Sequence, residues 1–398
     1  MKIALLMGRG VEGCGVTRYT VEQYNYMVNN GHDVKVFSTK DKNWGRKKSH
    51  ELVVEEIKND ELLSLKQRLV GYDVVFIHSV PSTGHSDECQ NNFLELVKGI
   101  DCFKVFIQND HLKASMIRNA FMWETVEECD LVYAHSLGSY FSETFNTKYN
   151  NPLAQLMNPT DTELVQFNGL GMDFKPLEKY KKKFHEKKRR FTYIGRFARF
   201  KHPDRVIELQ EHLSKYAIVT ELRGIEKSIG AKYLIYDNPI VVEGEKYDNP
   251  DDLSVAHVYG PYKRSEALME LSISMFGCNF FELAPEYYGG HMEYASIEPI
   301  AVGTVPVFSK HWGENVVHPE IGEKFIDIEK SGVYVGPENY EESAELMFKI
   351  SNSETLYNEY VDTSTEVFSI FDERCIERVV SNVEGKLALT NEFFYGII

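Results

Sequence analysis

The chain has 398 residues and a formal net charge of −16; 43% of its residues are hydrophobic and 13% are aromatic. This length is too great for one ordinary core, and it predicts two domains of about 150 to 200 residues each. The apolar content excludes disorder as the main state. The negative charge excludes general adhesion to nucleic acid or to an anionic membrane, so any contact with phosphates needs a local basic patch.

Cysteine usage and the N-terminal residues indicate a compartment. The cysteines lack a C-x-x-C pair, which argues against a disulfide framework or a zinc site and favours reduced thiols in a cytosol. They are Cys14, Cys89, Cys102, Cys129, Cys278 and Cys375. Residues 2–7 are a short apolar run typical of a buried strand, and neither a signal peptide nor a membrane-spanning helix is predicted.

The first half of the chain is predicted to alternate strands and helices. A strand at 2–7, a helix from about Thr17 to Asn30 and a strand at 34–37 make a β-loop-α-β unit, which requires a parallel sheet. Further strands are predicted at 73–78, 103–108 and 131–135, and each ends in polar residues. Ligands bind at the carboxyl ends of strands in open α/β sheets, so these polar residues are candidates for a binding site.

The second half repeats this pattern after a change in composition. A dense basic run at 178–190 precedes a strand at 191–194, a helix from about Pro203 to Tyr216 and a strand from Ala217 to Leu222. The basic run places a domain boundary near 165–180, and it is either a solvated surface or a patch for DNA phosphates. The sequence therefore predicts two Rossmann-like halves.

The first chemical motif is a glycine-rich loop between the first strand and the first helix, at 8–17. Glycines let the backbone approach an anion closely, and the N–H groups at the start of the following helix favour a phosphate. The candidate phosphate-binding residues are Gly13, Cys14, Gly15, Val16 and Thr17. A dinucleotide site or a merely tight turn has the same glycine content, so this motif alone leaves those alternatives open.

The second motif, at 195–201, places cations after the first strand of the second half. Arg196 and Lys201 suit the charge of a departing nucleoside diphosphate, whereas Arg199 also fits a solvated loop.

The third motif, at 293–308, contains a carboxylate in an apolar helix. Glu298 is predicted about one turn inside a helix that Gly303 ends. A carboxylate in such a place needs a partner, and ribose hydroxyls are natural donors to it. The alternative is an ordinary intrahelical or surface glutamate.

The second and third motifs resemble the Arg/Lys and E-P-x-x-x-G-x-x-P-V signatures of retaining GT-B glycosyltransferases. The first, G-R-G-V-E-G-C-G-V-T-R at 8–18, resembles the start of the DNA α-glucosyltransferases of T-even bacteriophages. The similarity to that family continues through further segments, which lie at 34–48, 79–81, 108–111, 118–119, 124–126, 135–136, 194–196, 224–228, 276–277, 293–294, 298, 303–308 and 313–315.

The resemblance implies an α/β fold of the GT-B type, with two Rossmann-like domains and an active-site cleft between them. The first domain, residues 1–175, would bind the acceptor DNA, with a C-terminal helix at about 375–398 packing back on it. The second, residues 176–374, would bind the nucleotide sugar.

The implied reaction moves a sugar, with retention of configuration, from a UDP-sugar to the hydroxymethyl oxygen of 5-hydroxymethylcytosine in DNA. Asp110, in the Q-x-D-H segment, is implied at the acceptor, and Arg196 and Lys201 at the leaving diphosphate. The donor site would also include the loop at 13–17 and the glutamates Glu226, Glu293 and Glu298.

The chain departs from the family at places that bear on specificity. Asn109 replaces a histidine next to Asp110, so an imidazole role there is dispensable or passes to His111. Gly290 stands where related glycosyltransferases have a sugar-contacting glutamate, leaving Glu286 or Glu293 to serve. The segment at 281–291, with Tyr287 and Tyr288, also differs, so UDP-arabinose is an alternative to the favoured UDP-glucose.

Contact with DNA is expected from a basic cluster and from the acceptor segment. Lys42, Arg46, Lys47 and Lys48 are expected to touch phosphates. Asn109, His111 and Arg118 are expected to contact the DNA substrate, whose target base is expected to be extruded from the stack.

The wider expectations are a monomer in the cytoplasm of an infected bacterium, without an obligatory metal because no D-x-D sequence is suitably placed. A cytosolic glycosyltransferase for a glycan or lipid, and an inactive sugar-nucleotide- or DNA-binding protein, are the rival interpretations.

Overall fold

The structure is a computed structural model in which the chain divides into two compact units. The residues that it describes are 1–8, 15–40, 52–81, 86–108, 120–134, 165–167, 169–195, 202–224, 240–242, 245–247, 256–259, 264–278, 280, 292–318 and 320–395. Unit 1 comprises Met1–Met172 and Asp372–Ile398, and unit 2 comprises Asp173–Phe371.

The described strands are β1 (Lys2–Met7), β2 (Asp33–Lys40), β3 (Val54–Lys58), β4 (Val74–Ser79), β5 (Phe103–Gln108), β6 (Leu131–Ala134), β7 (Val165–Phe167), β8 (Lys188–Gly195), β9 (Val219–Gly224), β10 (Ile240–Val242), β11 (Glu245–Tyr247), β12 (Ala256–Tyr259), β13 (Ser274–Cys278), β14 (Val305–Ser309) and β15 (Val333–Val335). The described helices are α1 (Gly15–Asn29), α2 (Leu62–Arg68), α3 (Asp87–Lys98), α4 (Ala120–Glu127), α5 (Pro203–Ser214), α6 (Arg264–Ser272), α7 (Tyr294–Ala301), α8 (Lys310–Asn315), α9 (Tyr340–Ser351), α10 (Glu354–Val367) and α11 (Arg374–Tyr395).

Unit 1 is built on a seven-stranded sheet in the order β3-β2-β1-β4-β5-β6-β7. Its neighbouring strands all pair in parallel. A central parallel strand is covered on both faces, which is why β1 is a continuous apolar run with residues 3–7 buried. The predicted β-loop-α-β unit and its parallel sheet are confirmed.

The last helix, α11, belongs to unit 1. Met172 forms a parallel bridge with Asp372, and Asn382 donates a hydrogen bond of 2.7 Å to the Tyr133 hydroxyl. Gly171 has a φ of +62°, and a Cβ there would lie 2.4 Å from Cγ1 of Ile376, so a glycine is needed where the chain meets α11. The units divide at 172/173 and 371/372, three residues before each boundary expected from the sequence.

Unit 2 is built on a six-stranded sheet in the order β12-β9-β8-β13-β14-β15, again with parallel pairs. A short antiparallel pair, β10 and β11, accompanies it. Its core joins strand residues such as Phe191, Phe276 and Val307 to Leu209 of α5 and Met347 of α9. The two sheets confirm the predicted α/β fold with two Rossmann-like halves.

The basic run differs from its prediction because part of it is buried. β8 begins at Lys188 rather than Phe191, and Arg190 is buried within ion pairs to Glu221 and Glu270, each at 2.7 Å. Lys187 is also buried, with its ammonium 2.7 Å from the Ser272 carbonyl oxygen. These two cations serve the packing of unit 2 and are not available to a DNA patch. The alternatives for the rest of the run, a solvated surface or a patch for DNA phosphates, stay predictions.

The strand after α5 also begins later than predicted. Ala217 has a φ of 55°, a left-handed conformation that ends the helical turn and is incompatible with a strand. β9 therefore starts at Val219. No disulfide links any of the five cysteines that the structure describes, and none of the described helices is long and apolar enough to span a membrane.

Candidate functional site

In unit 1, Gly8 marks the carboxyl edge of the central strands. Its N–H donates to the Ser79 carbonyl at 2.9 Å and to Ser79 Oγ at 3.0 Å, and its carbonyl accepts from the Thr39 hydroxyl. A Cβ on Gly8 would lie 2.4 Å from the Val80 carbonyl carbon. The ends of β1, β2 and β4 thus converge on a backbone that only glycine can form, directly before the glycine-rich loop.

The N-terminus of α1 is the described part of that predicted phosphate loop. Gly15 is exposed, whereas Val16 and Thr17 are buried. The first turn of this 15-residue helix carries no acidic side chain, so no side chain of that turn offsets the positive end of the helix dipole. Gly13 and Cys14 lie outside the described residues. The positive partial charge at the described N-terminus of α1 is therefore suited to an anion.

In unit 2, Glu298 lies in α7 as predicted and is buried, but its partner in the structure is an arginine. The Nε atom of Arg264 donates to Glu298 Oε1 at 2.7 Å, and the side chains are 28% and 9% exposed. Arg264 is the first residue of α6, which follows β12 at the carboxyl edge of the sheet. The pair therefore lies at the sheet edge where open α/β proteins bind ligands.

The end of α7 confirms the predicted role of Gly303. Its φ is +69°, its N–H bonds to the Ile300 carbonyl at 3.0 Å, and the N–H of Thr304 bonds to the Pro299 carbonyl at 2.9 Å. These two bonds make a Schellman ending, with glycine in the left-handed position. The Tyr357 hydroxyl donates to the Gly303 carbonyl at 2.9 Å. The helix bearing Glu298 is therefore fixed at its C-terminal end.

Other polar groups lie at the same sheet edge. Glu293 is the residue before α7, partly exposed, and its side chain does not cap the helix. Lys310 follows β14 and pairs with Glu338 at 3.0 Å, and this hydrogen bond raises the Lys310 pKa. Partial burial lowers the pKa of the neighbouring His311 and favours its neutral form.

Most of the predicted site residues lie outside the described residues. They are Asp110, Arg196, Lys201, Gly13, Cys14, Glu226, Lys42, Arg46, Lys47, Lys48, Asn109, His111 and Arg118. The segment at 281–291, with Glu286, Tyr287, Tyr288 and Gly290, also lies outside them. The roles of these residues stay predictions.

Sequence reasoning missed Arg264. The sequence did contain a signal for it. A cation at the first position of a helix is repelled by the positive end of the helix dipole, so its presence there indicates an acidic partner elsewhere in the fold. Within the part of the chain that the structure describes, no group of three or more His, Cys, Asp or Glu side chains is arranged as metal ligands. The expectation that a metal is optional stays a prediction.

The two sheets and the glutamate site define an α/β protein of the GT-B glycosyltransferase class. Residues 14–355 match the family model described as DNA alpha-glucosyltransferase, and the chain belongs to that family. It is 29% identical over 379 residues to the DNA alpha-glucosyltransferase of Enterobacteria phage T4, covering 90% of this chain and 93% of that protein.

Solved structures give the same result. A structure of alpha-glucosyltransferase with UDP matches with a TM-score of 0.79 and 25% identity over 96% of this chain and all of that chain. Another, with UDP-glucose and DNA containing an abasic site, matches with a TM-score of 0.78 and 25% identity over 96% and 99% of the two chains. Alr3699/HepE of Anabaena with UDP matches at a TM-score of 0.65 and 14% identity, covering 97% of this chain and all of that chain, and shows the fold alone.

Proposed function

We propose that this protein transfers glucose from UDP-glucose to the hydroxymethyl oxygen of 5-hydroxymethylcytosine in DNA. The observation that carries the proposal is the buried, arginine-held Glu298 carboxylate at the sheet edge of unit 2, in a chain whose family match spans 14–355. A carboxylate there is suited to the ribose of a nucleotide donor. Relatives with UDP, UDP-glucose and DNA bound support both substrates.

Donor-binding roles are proposed for residues of each unit by itself. In unit 2, Glu298 accepts from the ribose, and Glu226 and Glu293 are proposed as further donor-binding residues. In unit 1, the amides at 13–17 are proposed to offer N–H groups to the diphosphate. The first turn of α1, which carries no acidic side chain, supports this role. Arg196 and Lys201 supply the positive charge that a departing diphosphate needs. Loss of one such charge is expected to raise the barrier by about 2–4 kcal/mol.

The proposed reaction retains the anomeric configuration without a covalent intermediate. The hydroxymethyl oxygen of the acceptor forms a bond to the anomeric carbon on the face from which the diphosphate leaves. The bond from that carbon to the phosphate oxygen breaks, and UDP carries away the bonding electrons. Asp110 orients the attacking hydroxyl, whose proton ends on this carboxylate or on the departing phosphate.

The acceptor is proposed to be duplex DNA with the modified base extruded from the stack, because the hydroxymethyl group is otherwise shielded. Relatives crystallised with DNA containing an HMU base support a hydroxymethylated pyrimidine. Asn109, His111 and Arg118 are proposed near that base, and Lys42, Arg46, Lys47 and Lys48 on phosphates. Neutralising the four cations together should flatten the slope of log affinity against log salt, and an unchanged slope would exclude them.

The remaining proposals follow the family assignment. The protein acts as a monomer in the cytoplasm of an infected bacterium and needs no divalent ion. Glucose is the proposed sugar because relatives hold UDP-glucose. UDP-arabinose remains the alternative donor, through the tyrosines at 287 and 288, and a glycan or lipid acceptor is the second alternative.

The test is transfer of radiolabelled glucose from UDP-glucose to duplexes that differ only in cytosine or 5-hydroxymethylcytosine, with and without EDTA. Label on the hydroxymethylated duplex alone, in both conditions, is expected. Label on neither duplex, with transfer to a glycan or lipid fraction instead, would replace the proposal. Strict loss of transfer in EDTA would refute the metal-independent part.

A further inference from the structure

The position of Arg264 is electrostatically unfavourable by itself. As the first residue of the nine-residue helix α6, it places a cation at the positive end of the helix dipole. Its guanidinium is also largely withdrawn from water, with 28% of the side chain exposed. The contact with Glu298 offsets part of this cost, because the ion pair is short and its acidic partner is buried.

The pair uses only half of its hydrogen-bonding capacity. A guanidinium holds its Nε–H and Nη2–H groups parallel, and a carboxylate commonly accepts from both at once. Here only Nε donates, to Oε1 of Glu298. The Nη2 atom of Arg264 is buried with no acceptor among the described residues, and the second oxygen of Glu298 accepts no hydrogen bond from them.

The chemistry of this open position selects one class of ligand. Among the described residues, Nη2 of Arg264 is an unused donor and Oε2 of Glu298 is an unused acceptor. The parallel N–H groups of the guanidinium keep these two atoms next to each other. A hydroxyl group both donates and accepts, so one hydroxyl satisfies both atoms. A phosphate oxygen only accepts and an ammonium only donates, so neither satisfies the pair.

The packing of the two helices keeps this arrangement in place. Gly277 of β13 has no side chain, and a Cβ there would lie 2.8 Å from Leu271 of α6 and 3.1 Å from Pro299 of α7. Both helices therefore rest closely on one strand, and Arg264 and Glu298 lie on elements that cannot separate without disrupting that contact.

We infer that Arg264 is a positioning residue that orients Glu298 and, with it, clamps a single ribose hydroxyl of the donor nucleotide. The inference rests on the proposed function, because that function supplies the nucleotide. In the clamp, the ribose hydroxyl donates to Glu298 Oε2 and accepts from Arg264 Nη2. The protein thereby distinguishes ribonucleotide from deoxyribonucleotide donors.

The test compares the affinities of the full chain for UDP, 2′-deoxy-UDP and 3′-deoxy-UDP by calorimetry. Because a hydrogen bond to a charged group contributes about 1.5–3 kcal/mol, the wild type should bind one deoxy analogue about 10- to 100-fold more weakly than UDP. Using ligands without glucose separates a ribose hydroxyl from a hydroxyl of the transferred sugar.

Three variants assign the preference to the pair. Arg264→Met and Glu298→Gln should each bring the ratio of UDP affinity to deoxy-UDP affinity close to one. Arg264→Lys keeps the ion pair but lacks the second donor, so it should keep only part of the wild-type ratio. Arg189→Met is the matched control, because Arg189 is an exposed arginine of the same unit that bonds to Asn352. It should keep the full ratio.

The outcomes separate the inference from the function. A wild type that binds UDP and both deoxy analogues equally, or an Arg264→Met protein that keeps the wild-type ratio, overturns the clamp while leaving glucosyl transfer intact. A wild type that binds no UDP overturns the proposed function itself. If Arg264→Met fails to fold, Arg264→Lys and Glu298→Gln carry the test, and a wild-type ratio in both is equally contradictory.

Discussion

Lys187 shows what burial does to a single charged residue. Its ammonium donates to the Ser272 carbonyl at 2.7 Å and to Thr304 Oγ1 at 3.3 Å, and it lies 5.7 Å from the centre of the Tyr357 ring. Burial lowers the pKa of Lys187 to about 7, although Glu186 opposes the shift. Near neutral pH this lysine is therefore held by neutral acceptors and is close to losing its proton.

The lowered pKa predicts a pH-dependent stability. Above pH 7 the unfolded chain holds a proton on Lys187, with a pKa of about 10.4, that the folded chain does not hold. Stability from this residue therefore rises with pH across that window. Relative to Lys187→Met, the wild type should gain up to about 1.4 kcal/mol per pH unit between pH 7 and 9.

Urea unfolding of both proteins at several pH values measures this gain. Lys188→Met is the matched control, because Lys188 is the exposed neighbour and should reproduce the wild-type pH dependence. Parallel curves for the wild type and Lys187→Met would contradict the assignment.

At the residue scale, the sequence predicted chemistry better than it predicted burial. Glu298 was recognised as a carboxylate that needs a partner, but its partner Arg264 is 34 residues away in the chain and only the fold brings them together. In the same way, Lys187 and Arg190 were indistinguishable from their exposed neighbours in the basic run. Distant acceptors decide which cations are buried: Glu221 and Glu270 hold Arg190. The Ser272 carbonyl and the Thr304 hydroxyl hold Lys187.

At the scale of elements, α6 and α7 owe their positions to β13. The strand presents Gly277 where both helices approach most closely, and the proline inside α7 packs against it. A bulkier residue at this place must displace the side chain of Leu271 or Pro299 within a buried core, which is costly. The geometry of the Arg264–Glu298 pair thus depends on a residue that touches neither side chain.

Gly277→Ala should destabilise the protein by about 1–3 kcal/mol and weaken UDP binding. Gly385→Ala is the matched control: Gly385 lies in the long helix α11 with open space around it, so alanine should stabilise the helix by about 0.5–1 kcal/mol. Denaturant unfolding and UDP titration of the two variants give the comparison. Unchanged stability and UDP affinity in Gly277→Ala would refute the packing argument.

Strands and helices with clear apolar patterns were predictable, and their ends were less so. The strand at 103–108 was predicted with the bounds that the structure gives to β5, and α1 differs by two residues at its start and by one at its end. The start of β9 differs from the prediction because Ala217 adopts a left-handed conformation, which an alanine rarely does and the sequence does not signal. The short strands β3, β7 and β15 have only three to five residues each, which is too few to give a usable pattern.

At the scale of the whole molecule, the net charge of −16 and a DNA acceptor are compatible only if positive charge is local. Because Arg190 and Lys187 are buried, the candidates for that local charge are the exposed lysines of the basic run, such as Lys182 and Lys183, and the cluster predicted at 42–48. The two-unit organisation was predictable from the length of the chain, and the parallel sheets were predictable from the alternation of strands and helices. Substrate identity followed only from resemblance, because a GT-B fold accommodates many acceptors.

The most direct measurement is mass spectrometry of nucleosides digested from 5-hydroxymethylcytosine DNA after reaction with UDP-glucose and UDP-arabinose offered together. A hexose and a pentose differ in mass, so one spectrum identifies the acceptor base and the sugar. We expect 5-hydroxymethyl-2′-deoxycytidine carrying one hexosyl group, with unmodified deoxycytidine unchanged. A predominant pentosyl product would contradict the donor assignment, and the absence of any sugar on the base would contradict the function.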